Sequence, residues 1–159
     1  ISGLGTAEFI VKFLQDMSFS ASLVPAAVFL FGAFISFSTG SSWGTFAIMM
    51  PLAIPMAHAF GIPFYIAVGA VLSGGLFGDH CSPISDTTIL SSTGAGCGLV
   101  EHIKTQLPYA AVNGTIAFIA YIITGLTGSE AALGFAVIAL IVVMAVLNRI
   151  SAARLAGKE

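Results

Sequence analysis

The sequence predicts an all-α polytopic membrane protein. Of the 159 residues, 57% are hydrophobic and only 8% are charged, whereas soluble domains carry roughly 25% charged residues. The mean hydropathy is +1.03, and no Asp, Glu, Lys or Arg occurs from Met17 to Gly78. So few charges exclude most soluble proteins and also nucleic-acid binding, which needs clustered positive charge. The expected surrounding is therefore a lipid bilayer.

The first segment, residues 1–21, is expected to be an amphipathic helix near the membrane surface or the end of a truncated helix. Glu8, Lys12 and Asp16 are spaced four residues apart among apolar side chains, as one polar helix face requires. The chain begins with Ile1 rather than Met, and we expect it to be a fragment of a longer protein.

Residues 22–98 form the region in which we expect broken helices. Its three apolar runs are shorter than the roughly 20 residues that span a bilayer, and Gly and Pro interrupt them. Two tracts rich in Ser and Thr and without Lys or Arg lie among them. Such tracts suit non-helical backbone held inside protein at membrane depth; the alternative is plain turns outside the membrane. Interrupted short segments indicate the binding site of a secondary transporter. The runs are 22–37, 46–60 and 62–78, and the predicted polar breaks are 36–45 and 79–98.

The C-terminal part is expected to hold two ordinary transmembrane helices joined by a connection without Lys or Arg. Lys104 precedes these helices, and three basic residues follow them. Because an excess of Lys and Arg marks cytoplasmic segments, we predict a multi-pass protein of the plasma (inner) membrane with a cytoplasmic C-terminus. The predicted segments are a cytoplasmic-side connection (99–106), two transmembrane helices (107–147) and a basic cytoplasmic tail (148–159).

Two carboxyl groups, Asp79 and Asp86, lie in the apolar middle of the chain. An ionised Asp at the bilayer centre costs about 3 kcal/mol or more, so it needs a proton or a cation. The nearest basic residue in the sequence is Lys104, which leaves a proton or a bound metal ion. Hard cations such as Na⁺ prefer oxygen ligands, which carboxylates, hydroxyls and freed carbonyls supply. Exchange of a proton for a metal ion at one carboxylate is the chemistry of an ion/proton antiporter.

Pro83 lies between the two acidic residues and argues against one continuous helix. We therefore expect Asp79 to end one helical segment and Asp86 to begin the next, with Ser85 or Asp86 as the N-cap. The alternative is that either Asp is only a helix cap near an interface.

The tract Gly78-Asp79-His80-Cys81-Ser82-Pro83-Ile84-Ser85-Asp86-Thr87-Thr88 resembles the signature of NhaC-type sodium/proton antiporters, as do Phe37-Ser38-Thr39-Gly40-Ser41-Ser42-Trp43-Gly44-Thr45 and Lys104-Thr105-Gln106-Leu107-Pro108-Tyr109-Ala110. The resemblance extends over roughly residues 30–125. It implies the ion-transporter superfamily, whose members combine two inverted repeats with re-entrant hairpins and broken helices. This chain then corresponds to the C-terminal repeat, and its partner is the missing N-terminal repeat of the same protein.

The resemblance also implies which side chains bind the transported ions. Asp79 would be the principal proton/cation switch, assisted by Asp86. Na⁺ and H⁺ would be cargo, so no cofactor is expected. We expect the fragment alone to be inactive, and a homo-oligomer is possible. The hydroxyls that match the family pattern are Ser82, Ser85, Thr87 and Thr88 at one break and Thr39, Ser41 and Ser42 at the other.

Other functions fit parts of the same sequence. The same family includes exchangers coupled to organic acids. An intramembrane aspartic protease would need two carboxyls within about 3 Å on facing segments, whereas these two belong to one broken element. His80 is either a proton relay or an ordinary hydrogen-bonded side chain. A zinc site is not expected, because adjacent His80-Cys81 has poor ligand spacing and no paired cysteines exist.

Overall fold

The computed structural model describes residues 5–129 and 131–156, with side chains described as far as Arg149. This part of the chain contains helices and turns but no strand, and four of its helical segments are long and apolar enough to cross a membrane. The expected all-α polytopic membrane protein is confirmed. The helices are α1 (Thr6–Asp16), α2 (Val24–Thr39, after a 3₁₀ turn at Ala21–Leu23), α3 (Ser42–Ala59), α4 (Phe64–Cys81), α5 (Asp86–Gly94), α6 (Leu99–Thr127) and α7 (Ala131–Ala156).

Helices α2 and α4 are in close backbone contact. A Cβ atom at Gly74 would collide with the backbone oxygen of Phe29, and one at Gly78 would collide with that of Ala33. These two glycines are four residues apart on α4, so they form one flat stripe that lets the helix backbones touch, as small residues do between membrane helices. The matching order of the contacts shows that α2 and α4 run parallel and end at the same level.

The chain reverses direction where α2 ends. Gly40 adopts a left-handed conformation with φ of +67°, which ends α2, and its N–H donates to the Ser36 carbonyl at 2.8 Å. Ser41 is the N-cap of α3, and its side chain accepts a hydrogen bond from the Gly44 N–H at 3.2 Å. The ring of Phe46 on α3 packs against Gly75 of α4. The polar tract 36–45 therefore forms the tip of a helical hairpin made by α2 and α3.

Helix α6 runs antiparallel along α4 on the side away from α3. The Tyr121 hydroxyl lies 2.8 Å from the Ser73 hydroxyl, and the ring of Phe77 covers Gly114. The buried core between α2, α3 and α4 is aliphatic apart from one aromatic ring, and that ring, Phe29, stacks against Phe77. Helix α7 packs on α6 and leaves most of its apolar side chains exposed in this chain.

The predicted segments differ from the observed helices at several places. Of the predicted breaks 36–45 and 79–98, only residues 40–41, 82–85 and 95–98 are non-helical, because the Ser/Thr-rich ends continue the neighbouring helices or form α5. Residues 99–106, expected as a connection, are helical. They form the first turns of α6, which begins after Gly98 and continues without a break into the following span. Helix α7 continues beyond residue 147 into the predicted tail, whose residues 157–159 lie outside the described residues. Helix α1 occupies the middle of segment 1–21, residues 1–4 also being outside the described part. Its position at a membrane surface stays a prediction.

We expect Gly78→Ala to destabilise the protein by about 1–3 kcal/mol, the usual cost of overpacking a tight contact. The reason is that the added Cβ meets backbone atoms of α2, which cannot move aside as a side chain would. The matched control is Gly134→Ala on α7, where a Cβ would meet nothing within 4 Å. The measurement is the thermal unfolding midpoint of the full-length protein in detergent. Equal midpoints for the two variants would contradict the close contact of α2 and α4.

Candidate functional site

The candidate site lies where α4 gives way to α5. Helix α4 ends at Cys81, α5 begins at Asp86, and the four residues between them form a tight turn that contains Pro83. Ser85 is the N-cap of α5, and its hydroxyl accepts a hydrogen bond from the Thr88 N–H at 3.5 Å. The expected end of one helix just after Asp79, and the start of the next at Asp86, are confirmed.

Asp79 is the most deeply buried acidic side chain of the described residues, with 1% of its surface exposed. The Ser85 hydroxyl donates to Oδ1 of Asp79 at 2.8 Å, and the Thr87 hydroxyl donates to Oδ2 at 3.0 Å. The two hydroxyl oxygens lie 2.7 Å from each other. Asp79, Ser85 and Thr87 therefore form a closed set of oxygen contacts, which we call the Asp79 ring.

The Asp79 ring has one contact more than its hydroxyl hydrogens can fill. Three oxygen–oxygen contacts of 2.7–3.0 Å join its members, but Ser and Thr supply one donor hydrogen each. If Asp79 is ionised, one contact brings two lone pairs together. A proton on Asp79 supplies the third hydrogen, and a bound cation would instead draw a lone pair from each oxygen. All three contacts are therefore satisfied only when a proton or a cation is present.

The Asp79 carboxyl lies between the ends of two helices. Asp79 belongs to the last turn of α4, where the exposed carbonyls carry partial negative charge, and its carboxyl contacts the first turn of α5, where the N–H groups carry partial positive charge. The N-terminus of α5 stabilises an ionised carboxylate, while the C-terminus of α4 favours a cation. Within the described residues, no Lys or Arg side chain pairs with Asp79.

Thr88 offers a further oxygen beside the Asp79 ring. Its side chain is 3% exposed, and its hydroxyl oxygen has no hydrogen-bond partner among residues that the structure describes. Leaving a buried hydroxyl unpaired costs about 1–3 kcal/mol. Thr88 follows Thr87 directly in the sequence, and its backbone N–H binds the Ser85 hydroxyl at 3.5 Å.

Asp86 lies in a different environment from Asp79. Its side chain is exposed, and its Oδ1 accepts a hydrogen bond from the N–H of Thr87 at 2.8 Å. No hydrogen bond joins the two carboxyls in the described structure; Thr87 contacts one with its N–H and the other with its hydroxyl. The acidic pair of the sequence is therefore not a contacting pair, and the contact of Asp86 is that of a residue at a helix start.

The two polar breaks meet through their backbones. A Cβ atom at Gly40 would lie 2.8 Å from the carbonyl oxygen of Ile84, so the hairpin tip touches the turn between α4 and α5. None of the predicted hydroxyls at the tip bonds to Asp79: Thr39 is exposed and donates to the Ile35 carbonyl at 2.9 Å, Ser41 caps α3, and Ser42 is buried at the start of α3. Ser82, also buried, accepts from the Ile84 N–H at 3.4 Å and stabilises the turn.

Two buried hydroxyls at the hairpin were not among the predicted site residues. Ser36 donates to the Gly75 carbonyl at 2.6 Å, and Thr45 donates to the Ser41 carbonyl at 2.9 Å. Both belong to the polar tract 36–45, so the composition of the tract contained the signal. Their burial depends on how α2 and α3 pack on α4.

His80 faces α6 rather than the Asp79 ring. Its ring nitrogen Nδ1 lies 2.8 Å from the Leu76 carbonyl, one turn earlier in α4. Together with Gln106, Tyr109 and Asn113 of α6 it lines a cavity of about 450 Å³, which does not include Asp79. A role of His80 as a proton relay stays a prediction.

Comparison with known proteins identifies the family. The model of the Na⁺/H⁺ antiporter family matches residues 1–126. An uncharacterised protein of Haemophilus influenzae is 46% identical in an alignment 157 residues long, which covers 91% of this chain and 30% of that protein. The arginine/ornithine antiporter ArcD of Halobacterium salinarum is 33% identical over 122 residues, 77% of this chain and 25% of ArcD.

A second Haemophilus influenzae protein, described as an uncharacterised Na⁺/H⁺ antiporter, is 36% identical over 130 residues, 79% of this chain and 26% of that protein. The chain thus spans less than a third of the length of these relatives, and no solved structure matches it. The relatives with a stated activity are antiporters rather than enzymes. The resemblance found in the sequence is confirmed: the chain belongs to the Na⁺/H⁺ antiporter family.

Proposed function

We propose that this chain is the ion-binding part of a secondary transporter that exchanges Na⁺ for H⁺ across the membrane, with Asp79 as the group for which the two ions compete. The observation that carries the proposal is the Asp79 ring, a buried carboxyl whose three oxygen contacts need one positive charge to be satisfied. Family membership supports exchange of this kind.

The competition follows from the geometry of the site. With a proton on Asp79, each contact of the ring holds one hydrogen and the site is neutral. Loss of the proton leaves a buried carboxylate that is costly without a partner, and Na⁺ takes the place of the proton by binding the oxygens of Asp79, Ser85 and Thr87, with Thr88 as a further ligand. Because one charge satisfies the ring, the two ions exclude each other.

Transport also requires that the site face each side of the membrane in turn. In secondary transporters this comes from one bundle moving against another around a fixed site. The relatives are about three times as long as this chain, so we propose that the moving partner is another part of the same protein. This is why we expect no exchange by the fragment alone.

The orientation in the membrane is a further part of the proposal. Helices α6 and α7 are joined by a short connection, and Tyr109 near the start of α6 lies close to Leu147 and Asn148 near the end of α7. Lys104 and Arg149 therefore lie at the same end of the helix pair. Because basic residues favour the cytoplasmic side, we propose a plasma-membrane protein with this end and the C-terminus in the cytoplasm.

A second candidate is exchange of an organic substrate coupled to the same carboxyl. Two observations favour it: the similarity to an arginine/ornithine antiporter, and the cavity of about 450 Å³ lined by His80, Gln106, Tyr109 and Asn113. The two candidates differ in what drives proton movement, which is Na⁺ alone in the first and an amino acid or organic acid in the second.

We expect Asp79→Asn to abolish Na⁺-driven proton movement in vesicles that contain the full-length protein. Asn keeps the size of the side chain but cannot release a proton and carries no charge to bind Na⁺. The control is Asp86→Asn, which keeps an oxygen to accept the Thr87 N–H and should retain exchange within about threefold of wild type, since an exposed hydrogen bond contributes little. Wild-type-like exchange by Asp79→Asn would sink the proposal.

We expect Thr88→Val to act in opposite directions on stability and on ion affinity. Without Na⁺, removing an unpaired buried hydroxyl should leave the protein equally stable or more stable by about 1–2 kcal/mol. With Na⁺, the loss of one ligand should raise the concentration for half-maximal exchange about five- to tenfold. The control is Thr93→Val, because the Thr93 hydroxyl is exposed and donates only to the Ile89 carbonyl of its own helix. An unchanged Na⁺ dependence for Thr88→Val would remove Thr88 from the site.

A further inference from the structure

The segment 104–110 is the part of the family resemblance for which the proposed mechanism has no use. It lies in the second and third turns of α6, next to the end of α4. One of its side chains reaches the broken end directly: Nε2 of Gln106 donates to the backbone carbonyl of His80 at 3.0 Å. The two bonded residues are 26 positions apart in the sequence and belong to different helices, α6 and α4. His80 is the residue that follows Asp79.

The carbonyl that Gln106 binds would otherwise have no partner within its helix. The last four carbonyls of any α-helix lack intrahelical donors. If α4 continued, the N–H of Ile84 would bind the His80 carbonyl, but that N–H points to the hydroxyl of Ser82 instead, at 3.4 Å. The neighbouring Asp79 carbonyl accepts from the Ser82 N–H at 3.1 Å within the turn. Gln106 therefore supplies, from outside the turn, a hydrogen-bond donor to the end of α4.

The Asp79 ring depends on the position of this end. Its members come from two helices that are connected by only four residues, and the bonds inside the connecting turn are long, at 3.1–3.5 Å. The contacts of Asp79 with Ser85 and Thr87 are short, at 2.8 and 3.0 Å. A shift of about 1 Å at the end of α4 would take both beyond hydrogen-bond distance.

We propose that Gln106 is a positioning residue of the ion site: its amide holds the His80 carbonyl, and thereby keeps the Asp79 carboxyl against Ser85 and Thr87. The inference rests on the proposed role of Asp79 in cation binding. It assigns to α6 a part in ion affinity without contact with the ion. The donor is one amide beside an open cavity, so its loss should weaken affinity and leave the fold in place.

The first test measures Na⁺-driven exchange by the full-length protein in vesicles. Gln106→Leu lacks the donor, and Gln106→Glu is of equal size but, when ionised, has no N–H or O–H to donate. Both should raise the Na⁺ concentration for half-maximal exchange about three- to tenfold, the range expected for one lost hydrogen bond, with the maximal rate within twofold. The control is Thr105→Val, whose hydroxyl bonds only to the Glu101 and His102 carbonyls of α6.

The second test does not depend on transport. Cys81 is the last residue of α4 and is half-buried, so the rate at which a thiol reagent labels it reports on this end of the helix. With Cys97 and any other cysteine of the full-length protein replaced, Gln106→Leu should label at least threefold faster than wild type, and Thr105→Val at the wild-type rate.

The outcomes separate the two proposals. If wild type shows no Na⁺-driven exchange, the proposed function fails, while faster labelling in Gln106→Leu still supports the hold on α4. If exchange is present and the Na⁺ dependence of both Gln106 variants equals that of wild type, or only the amount of folded protein falls, the positioning role is overturned. Labelling of Cys81 at the wild-type rate in Gln106→Leu overturns it as well.

Discussion

The contact between α2 and α4 determines the level at which the chain is interrupted. Because Gly74 and Gly78 let the backbone of α4 touch that of α2, the two parallel helices are held in one register, with Ser36 bonded to Gly75 across the contact. Both helices end at the same height, and the hairpin tip at Gly40 therefore meets the turn at Ile84. A larger residue in this stripe would separate the helices and, with them, the two interruptions that lie beside Asp79.

The site combines a buried carboxyl group with too few hydroxyl hydrogens to fill its hydrogen-bond contacts. A buried carboxyl without a basic partner destabilises the ionised protein, and such groups are retained where they perform a function. Here the carboxyl contacts two hydroxyls that also contact each other, so the need for one positive charge is built into the arrangement of three side chains. The unpaired, buried Thr88 hydroxyl is a second polar group that costs stability in this part of the chain.

Much of the fold could be predicted from composition, and the Asp79 position could be predicted from the charge pattern. A carboxyl between Gly78 and Pro83, in a long stretch without basic residues, has few physical explanations other than a proton or ion site. The apolar runs became helices, but the interruptions followed the Ser/Thr-rich tracts rather than every Pro. Pro51 and Pro55 lie inside α3, and the helix continues through both of them.

The side chains that meet at the site could not be assigned in this way. Asp86 is seven residues from Asp79 and would share a face with it on one helix, but the four-residue turn changes the direction of α5 and leaves Asp86 exposed. Thr39 and Ser41 have the right chemistry, yet their hydroxyls bond within the hairpin, and Ser42 is buried at the start of α3. Gln106 was part of a recognised motif, but its partner is a backbone carbonyl, which no pattern of side chains reveals.

The meeting of Gly40 with Ile84 has a mechanical consequence. Two backbones at van der Waals distance, one of them in a conformation that glycine alone adopts easily, have no flexible side chain between them to absorb displacement. A rotation of the α2–α3 hairpin is therefore transmitted to the turn that contains Ser82 and Ser85, or else it parts the two surfaces. A displacement of the hairpin at this contact would therefore reach Ser85, whose hydroxyl bonds to Asp79.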